Sequence, residues 1–217
     1  MKFHNITTND MLNGEGLRTV LWVSGCEMKC EGCQNPETWD PDCGVDFDEN
    51  AKQELFSYLE KPEISGLTLS GGHPLHENNL HAILKLVTEV RDKYPEKTIW
   101  LYTGYTFESI MVDSFMLHDL HKTMATTLSN ICLRAEIVSK VDVLCDGPYI
   151  QNLNSPNKHW VGSVNQRVID IKETLKNDFY HSISEISNEE PSSRRSRVID
   201  ALTKSIVLYN DKKAIEY

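Results

Sequence analysis

The sequence has no long apolar run: nothing in its 217 residues approaches the roughly 20 consecutive apolar residues a membrane-spanning helix needs. With a mean hydropathy of −0.41, a water-exposed globular chain is expected and a membrane partner is not. Positive charge is scarce too. The 22 lysines and arginines face 32 aspartates and glutamates, a net charge of −10. Phosphate backbones select basic surfaces, so this balance argues against nucleic-acid binding and leaves a protein partner open. Met1-Lys2-Phe3-His4-Asn5 lacks an apolar signal core, so the expectation is a cytoplasmic protein. Its six cysteines then read as free thiols or ligands rather than disulfides. No internal repeat is visible, and no second C-x2-C or Cys/His pair of the kind zinc modules carry.

What is there is one tight cluster, Gly25-Cys26-Glu27-Met28-Lys29-Cys30-Glu31-Gly32-Cys33-Gln34-Asn35. Three cysteines spaced C-x3-C-x2-C can wrap one inorganic centre. Held by three thiolates, a four-iron cubane keeps one iron open to a small molecule. Two other readings stand beside this one. Positions 26, 30 and 33 also fit one face of a helix, although Ser24-Gly25, Gly32 and Asn35-Pro36 favour a loop. Structural zinc is the other, with Cys43 or a histidine as fourth ligand. Cys43, Cys132 and Cys145 otherwise read as ordinary small residues.

Leu17 to Val23 is β-branched and aromatic and reads as the first strand, delivering the chain into the cysteine loop at its C-terminal end. A helix over Asp48–Glu60, a strand over Ser65–Leu69, a helix from about Glu77 to Tyr94 and a strand over Thr98–Tyr102 follow. Another helix begins at Phe107, and residues 111–137 suggest one or two helices with a break near Thr126-Thr127. Lys140–Cys145 reads as a fourth strand. Strands alternating with helices make an α/β fold with a mostly parallel sheet. Right-handed crossovers gather the strand-end loops at one edge, where such sheets place ligands. Gly71-Gly72 falls at that same edge. A lone Gly-Gly-x-Pro more often marks a plain connection, but together with the cysteines it points to one pocket.

Cys26-x3-Cys30-x2-Cys33 together with Ser70-Gly71-Gly72-His73-Pro74 resembles the radical S-adenosylmethionine (SAM) superfamily. More narrowly, the chain is similar to the activating proteins of anaerobic ribonucleoside-triphosphate reductases. The matching pieces are Asn13-Gly14-Glu15-Gly16-Leu17-Arg18, Val23 through Trp39, Leu69 to Gly72, Ile99 to Tyr105, Val143 to Gly147, Trp160 to Ser163 and Asn165-Gln166-Arg167. They cover residues 1–112 and 139–167. An insertion at about 113–138 and everything after about 170 have no counterpart.

The resemblance implies an incomplete (β/α) barrel over 1–169, with a helical insertion, followed by a C-terminal extension (170–217) that is linker-like over 187–197. It implies a [4Fe-4S] cluster on Cys26, Cys30 and Cys33, its fourth iron binding SAM through amino and carboxylate groups. Reduction by a flavodoxin-like donor would cleave SAM, and the 5′-deoxyadenosyl radical would take hydrogen from a glycine of the large catalytic subunit of the reductase. Backbone at Gly32, Cys33 and Gln34 is expected beside SAM, Gly71 and Gly72 at its methionine end, and Thr103 at the ribose. Asp146-Gly147 is expected to face the partner's glycine loop. Arg18 reads as structural at least as readily as functional; His4, His76 and His81 read as ordinary. The apolar end of the extension suggests docking onto the partner or a second copy of this chain.

Two positions depart from the pattern. Glu15 stands where proline is more usual. His73 stands where an acidic residue is expected to hold the SAM ammonium, and a neutral histidine supplies no negative charge. SAM binding is then expected to rest on the cluster iron and the Gly72 backbone. Other glycyl-radical activases, small-molecule radical SAM enzymes, an iron–sulfur electron carrier and a non-catalytic zinc module are the competing functions.

Overall fold

A computed structural model describes residues 1–117, 125–176, 186 and 191–209. Among the described residues seven strands form one sheet: β1 (Lys2–Asp10), β2 (Leu17–Val23), β3 (Val45–Asp46), β4 (Ile64–Gly71), β5 (Thr98–Tyr102), β6 (Val143–Asp146) and β7 (Arg167–Asp170). Six helices accompany them: α1 (Glu49–Leu59), α2 (Leu80–Lys93), α3 (Phe107–Leu117), α4 (Ala125–Lys140), α5 (Ile171–Lys176) and α6 (Pro191–Ser205). The spatial order is β3-β1-β2-β4-β5-β6-β7. β2, β4, β5 and β6 run parallel; β1 pairs antiparallel with β2 and β3 antiparallel with β1 on one side, and β7 pairs antiparallel with β6 on the other. The α/β class therefore holds, and the sheet is open, with β3 and β7 as its edges.

The period-2 alternation of the central strands explains the two faces. Leu21, Val23, Leu67, Leu69, Ile99, Leu101 and Leu144 face a core shared with Leu55, Ile83, Phe107 and Ile137 from the helices. On the opposite face Trp100, Val143 and Cys145 pack with Tyr102, Trp160, Val168 and Tyr209. Arg18 lies on this second face, fully buried. Its guanidinium donates to Thr68 Oγ1 (2.6 Å), Leu67 O (2.6 Å), Thr98 Oγ1 (3.0 Å), Thr98 O (2.9 Å) and Glu15 O (3.1 Å). Burial lowers its pKa to about 10. It is a structural residue, held by carbonyls and hydroxyls rather than by an ion pair.

Several sequence expectations shift. Leu17–Val23 is the second strand, because Lys2–Asp10 precedes it antiparallel. Residues 167–170 form an unexpected antiparallel strand. Residues 111–137 contain parts of two helices, as expected, but Thr126-Thr127 lie within α4 rather than at a break, because the helix already runs from Ala125. The linker-like stretch is helical from Pro191 onward. The extension's apolar residues divide: Val198 and Leu202 are buried in the chain's own core with Ile171 and Ile186, while Ile199 and Leu208 are exposed. Leucine burial of this kind contributes about 1.5–3 kcal/mol per side chain. Past α6 the chain returns to β7, where Asp170 N donates to Val207 O (2.9 Å) and Tyr209 N to Val168 O (2.8 Å).

Candidate metal centre

β2 ends at Val23, and the next residues leave the C-terminal edge of the sheet as a loop closed at its base. Gly25 N donates to Thr38 O (2.8 Å) and Cys26 N to Trp39 O (3.0 Å), so a short 3₁₀ turn at Pro36–Thr38 brings the loop back to where it began. Within it Cys33 N donates to Cys30 O (3.2 Å), and Lys29 and Gly32 take positive φ values of 44° and 71°. The helix reading of the cysteines is thereby excluded. All three thiols are free and partly buried. Burial pushes the Cys26 thiol up, so a metal that binds there displaces a proton. Asn35 N lies 3.4 Å from Cys33 Sγ, the contact by which backbone amides steady a thiolate.

The loop is laced to its neighbours. Gly72 N donates to Val23 O (2.8 Å) and His73 N to Gly25 O (2.7 Å). A Cβ at Gly72 would lie 2.7 Å from Gly25 O and 2.9 Å from Thr38 O, both backbone atoms. Glycine is required here because the cysteine loop packs directly on the end of β4. Asn79, at the start of α2, donates to Ser24 O (2.8 Å) and His73 O (3.1 Å) while itself buried. Nothing in the sequence marked it. Met28 lies against Gly104, where a Cβ would push the methionine side chain aside.

His73 is 1% exposed. Its Nε2 is 2.7 Å from Thr103 Oγ1. Its Nδ1 is 3.0 Å from Glu27 Oε2, off the line of a full hydrogen bond. Tyr105 donates its hydroxyl hydrogen to Glu27 Oε1, and its ring lies 4.7 Å from the imidazole. Burial opposes the Glu27 charge, but His73 and Tyr105 outweigh it and hold the carboxyl at about 2. The Thr103 hydroxyl also accepts from Tyr105 N (3.1 Å), so it is engaged within the protein. Gly32 and Gln34 are exposed on the same loop.

Cys43 sits apart from this arrangement. Its Sγ lies 3.0 Å from His4 Nε2 and donates to Glu37 O (3.1 Å) or Asp40 O (2.7 Å). It is thus bonded away from the role of fourth zinc ligand. Among the described residues no three His, Cys, Asp or Glu side chains converge closely enough to hold one metal ion. A cubane, whose ligands bind three separate irons, sets a wider spacing, and three partly buried thiols on one closed loop fit it.

Asp146 and Gly147, at the end of β6, are occupied internally. Asp146 Oδ2 accepts from Phe107 N at the start of α3 (2.8 Å), and Arg167 Nε donates to Asp146 Oδ1 (3.0 Å). Arg167 also grips Glu108 through Nη1 (2.9 Å) and Nη2 (2.7 Å). Gln166 Nε2 donates to Gly147 O (3.0 Å), and its Oε1 accepts from Gly162 N (3.0 Å) and Ser163 N (3.1 Å). The Gly162–Arg167 segment therefore builds the wall beside β6.

The model of the 4Fe-4S single cluster domain matches residues 12–169. The chain is 42% identical over 168 residues to the anaerobic ribonucleoside-triphosphate reductase-activating protein of Enterobacteria phage T4, covering 77% of this chain and 93% of that protein. It is 37% identical to the protein of the same name from Vibrio cholerae serotype O1 (76% and 96%) and 35% identical to that of Escherichia coli K12 (77% and 97%). The chain belongs to the anaerobic ribonucleoside-triphosphate reductase-activating protein family. In this member the cluster domain matches the chain from just after β1 into β7, and α5, α6 and the return to β7 lie beyond it. No helix among the described residues is long and apolar enough to cross a membrane.

Proposed function

We propose that this chain activates the large catalytic subunit of an anaerobic ribonucleoside-triphosphate reductase as a radical SAM enzyme, in the cytoplasm and with a flavodoxin-like electron donor. The observation that carries it is the closed loop of Cys26, Cys30 and Cys33 at the C-terminal edge of the parallel strands, in a chain of this family. When bound, a [4Fe-4S] cluster supplies the electron for reductive cleavage of SAM, from which hydrogen abstraction at a reductase glycine follows.

The chain's own residues have distinct tasks in this reading. The three cysteine thiolates hold the cluster and leave one iron free of protein ligands. Gly72 lets the cysteine loop sit against β4, fixing the cluster at the sheet edge. Backbone at Gly32, Cys33 and Gln34 lies on the exposed rim of the loop, where SAM would meet it. Gly71 and Gly72 border the methionine end. Thr103 borders the pocket through His73 and Tyr105, which supports a positioning role more than a direct ribose contact. We read the open sheet as a partial barrel, whose unclosed edge suits a polypeptide substrate.

The test is anaerobic reconstitution, reduction with dithionite, addition of SAM and assay of 5′-deoxyadenosine, with Cys30→Ala as control. Product that requires each of the three cysteines supports the proposal. A colourless protein that holds zinc and makes no product overturns it.

A further inference from the structure

We propose that Glu27 is the anionic group that meets the amino group of the SAM methionine, and that His73, Thr103 and Tyr105 are residues that position it. This rests on the SAM-binding reading above.

A ligand amino group beside the cysteine loop needs an acceptor, and preferably a negative one. His73 cannot be that acceptor as it is placed. Thr103 Oγ1 accepts from Tyr105 N and shares a 2.7 Å hydrogen bond with His73 Nε2. The other ring nitrogen, Nδ1, is turned toward Glu27 Oε2. Nε2 is engaged by Thr103, and Nδ1, although it makes no full hydrogen bond, is buried behind the Glu27 carboxylate, so with the ring 1% exposed the carboxylate and not the imidazole faces outward.

Glu27 is placed differently. Its carboxylate has about four lone-pair sites, of which Tyr105 Oη takes one and His73 Nδ1 faces another. The side chain remains 34% exposed and follows Cys26 directly in the chain. A second carboxylate at this edge, Asp146, is fully buried and held by Arg167 and Phe107 N. The negative charge that position 73 does not provide is thus placed one shell away, on the cysteine loop itself. Its direction is fixed by two side chains from the loops after β4 and β5.

The test is equilibrium binding to the cluster-loaded full-length protein, with iron per chain measured in every sample. The probes are SAM and its desamino analogue, which lacks only the amino group. Wild type is expected to prefer SAM, and Glu27→Gln to weaken SAM by about tenfold or more while leaving the analogue unchanged. Any change in the reduced cluster's electron paramagnetic resonance signal on SAM addition, expected at lower SAM concentration in wild type than in Glu27→Gln, gives a second readout. Restoring a carboxylate in Glu27→Gln/His73→Glu is expected to recover the preference. If Glu27→Gln loads less iron than wild type, Tyr105→Phe, which frees the carboxylate without removing its charge, is expected to give a smaller loss confined to SAM. Equal SAM affinity in wild type and Glu27→Gln overturns the proposal, as does equal loss for both probes. A loaded wild-type protein that binds neither probe overturns the SAM reading itself.

Discussion

Tyr209 donates its hydroxyl hydrogen to Glu15 Oε2, joining the extension to the loop that opens β2. Its ring stacks edge-on against Trp100 at 5.1 Å and against Trp160 at 5.9 Å. The end of the extension therefore lies on the face of the sheet opposite the helices, and a proline at position 15 would offer no side-chain acceptor to this hydroxyl. Tyr209→Phe keeps the ring and removes only this bond, so it is expected to cost about 1–2 kcal/mol. Glu15→Leu, which leaves no side-chain acceptor, should cost a similar amount, and the double variant little more than either. Urea midpoints of the four proteins measure the coupling; simple additivity would show that the bond contributes nothing.

The Glu108–Arg167–Asp146 cluster makes stability depend on acid. Arg167 holds the Glu108 carboxyl below its ordinary value. A carboxyl depressed in the folded state stabilises above its unfolded value, and that contribution is lost as pH falls through the folded value. Glu108→Gln is therefore expected to be less stable than wild type by about 2 kcal/mol at neutral pH. The gap should narrow below about pH 4, where glutamates in unfolded chains take up protons. Thermal midpoints between pH 7 and 3 measure it; a gap that stays constant would mean that Glu108 acts through packing rather than charge.

The central strands and their helices were legible because each is a local pattern: alternating apolar residues in β4, a short apolar run in β5, a 3.6-residue stripe in α2. β1 was not, since Lys-Phe-His-Asn-Ile-Thr-Thr-Asn-Asp lies between an ordinary strand and a two-residue edge strand and buries only Phe3 fully. β7 has four residues, too few for a pattern. α6 opens on Pro-Ser-Ser-Arg-Arg-Ser-Arg, whose polarity resembles a linker, and only Val198 and Leu202 are deeply buried. In the site, the cysteine spacing is local and was readable. The Glu27–His73–Thr103–Tyr105 set was not, because it joins loops after three different strands and only the sheet order brings them together.

Gly72 tests whether the cysteine loop depends on the end of β4. Alanine there places Cβ 2.7 Å from Gly25 O and 3.0 Å from Val23 O, backbone atoms that cannot swing aside. The loop must move, at an expected cost of about 1–3 kcal/mol. The bonds from Gly72 N and His73 N should weaken with it. Gly72→Ala is then expected to hold less iron per chain after reconstitution than wild type. Wild-type iron content would show that the loop assembles the centre without this contact.

Thiol accessibility separates the cluster reading from the zinc reading without any assay of activity. Cys132 is exposed, and Cys26, Cys30, Cys33 and Cys43 are partly buried. Cys145 is fully buried, and burial pushes its thiol up to about 12, so it presents almost no thiolate to an alkylating reagent at pH 8. Iodoacetamide on the metal-free protein, followed by peptide mass spectrometry, is expected to label five cysteines and spare Cys145. After iron and sulfide loading, Cys26, Cys30 and Cys33 should become protected together, because each thiolate is then bound to its own iron. Cys132 and Cys43 should remain reactive, since Cys43 is held by His4 and by carbonyls of its own loop. Protection of Cys43 alongside the other three would instead mean a four-thiolate site, with no open iron and no place for SAM.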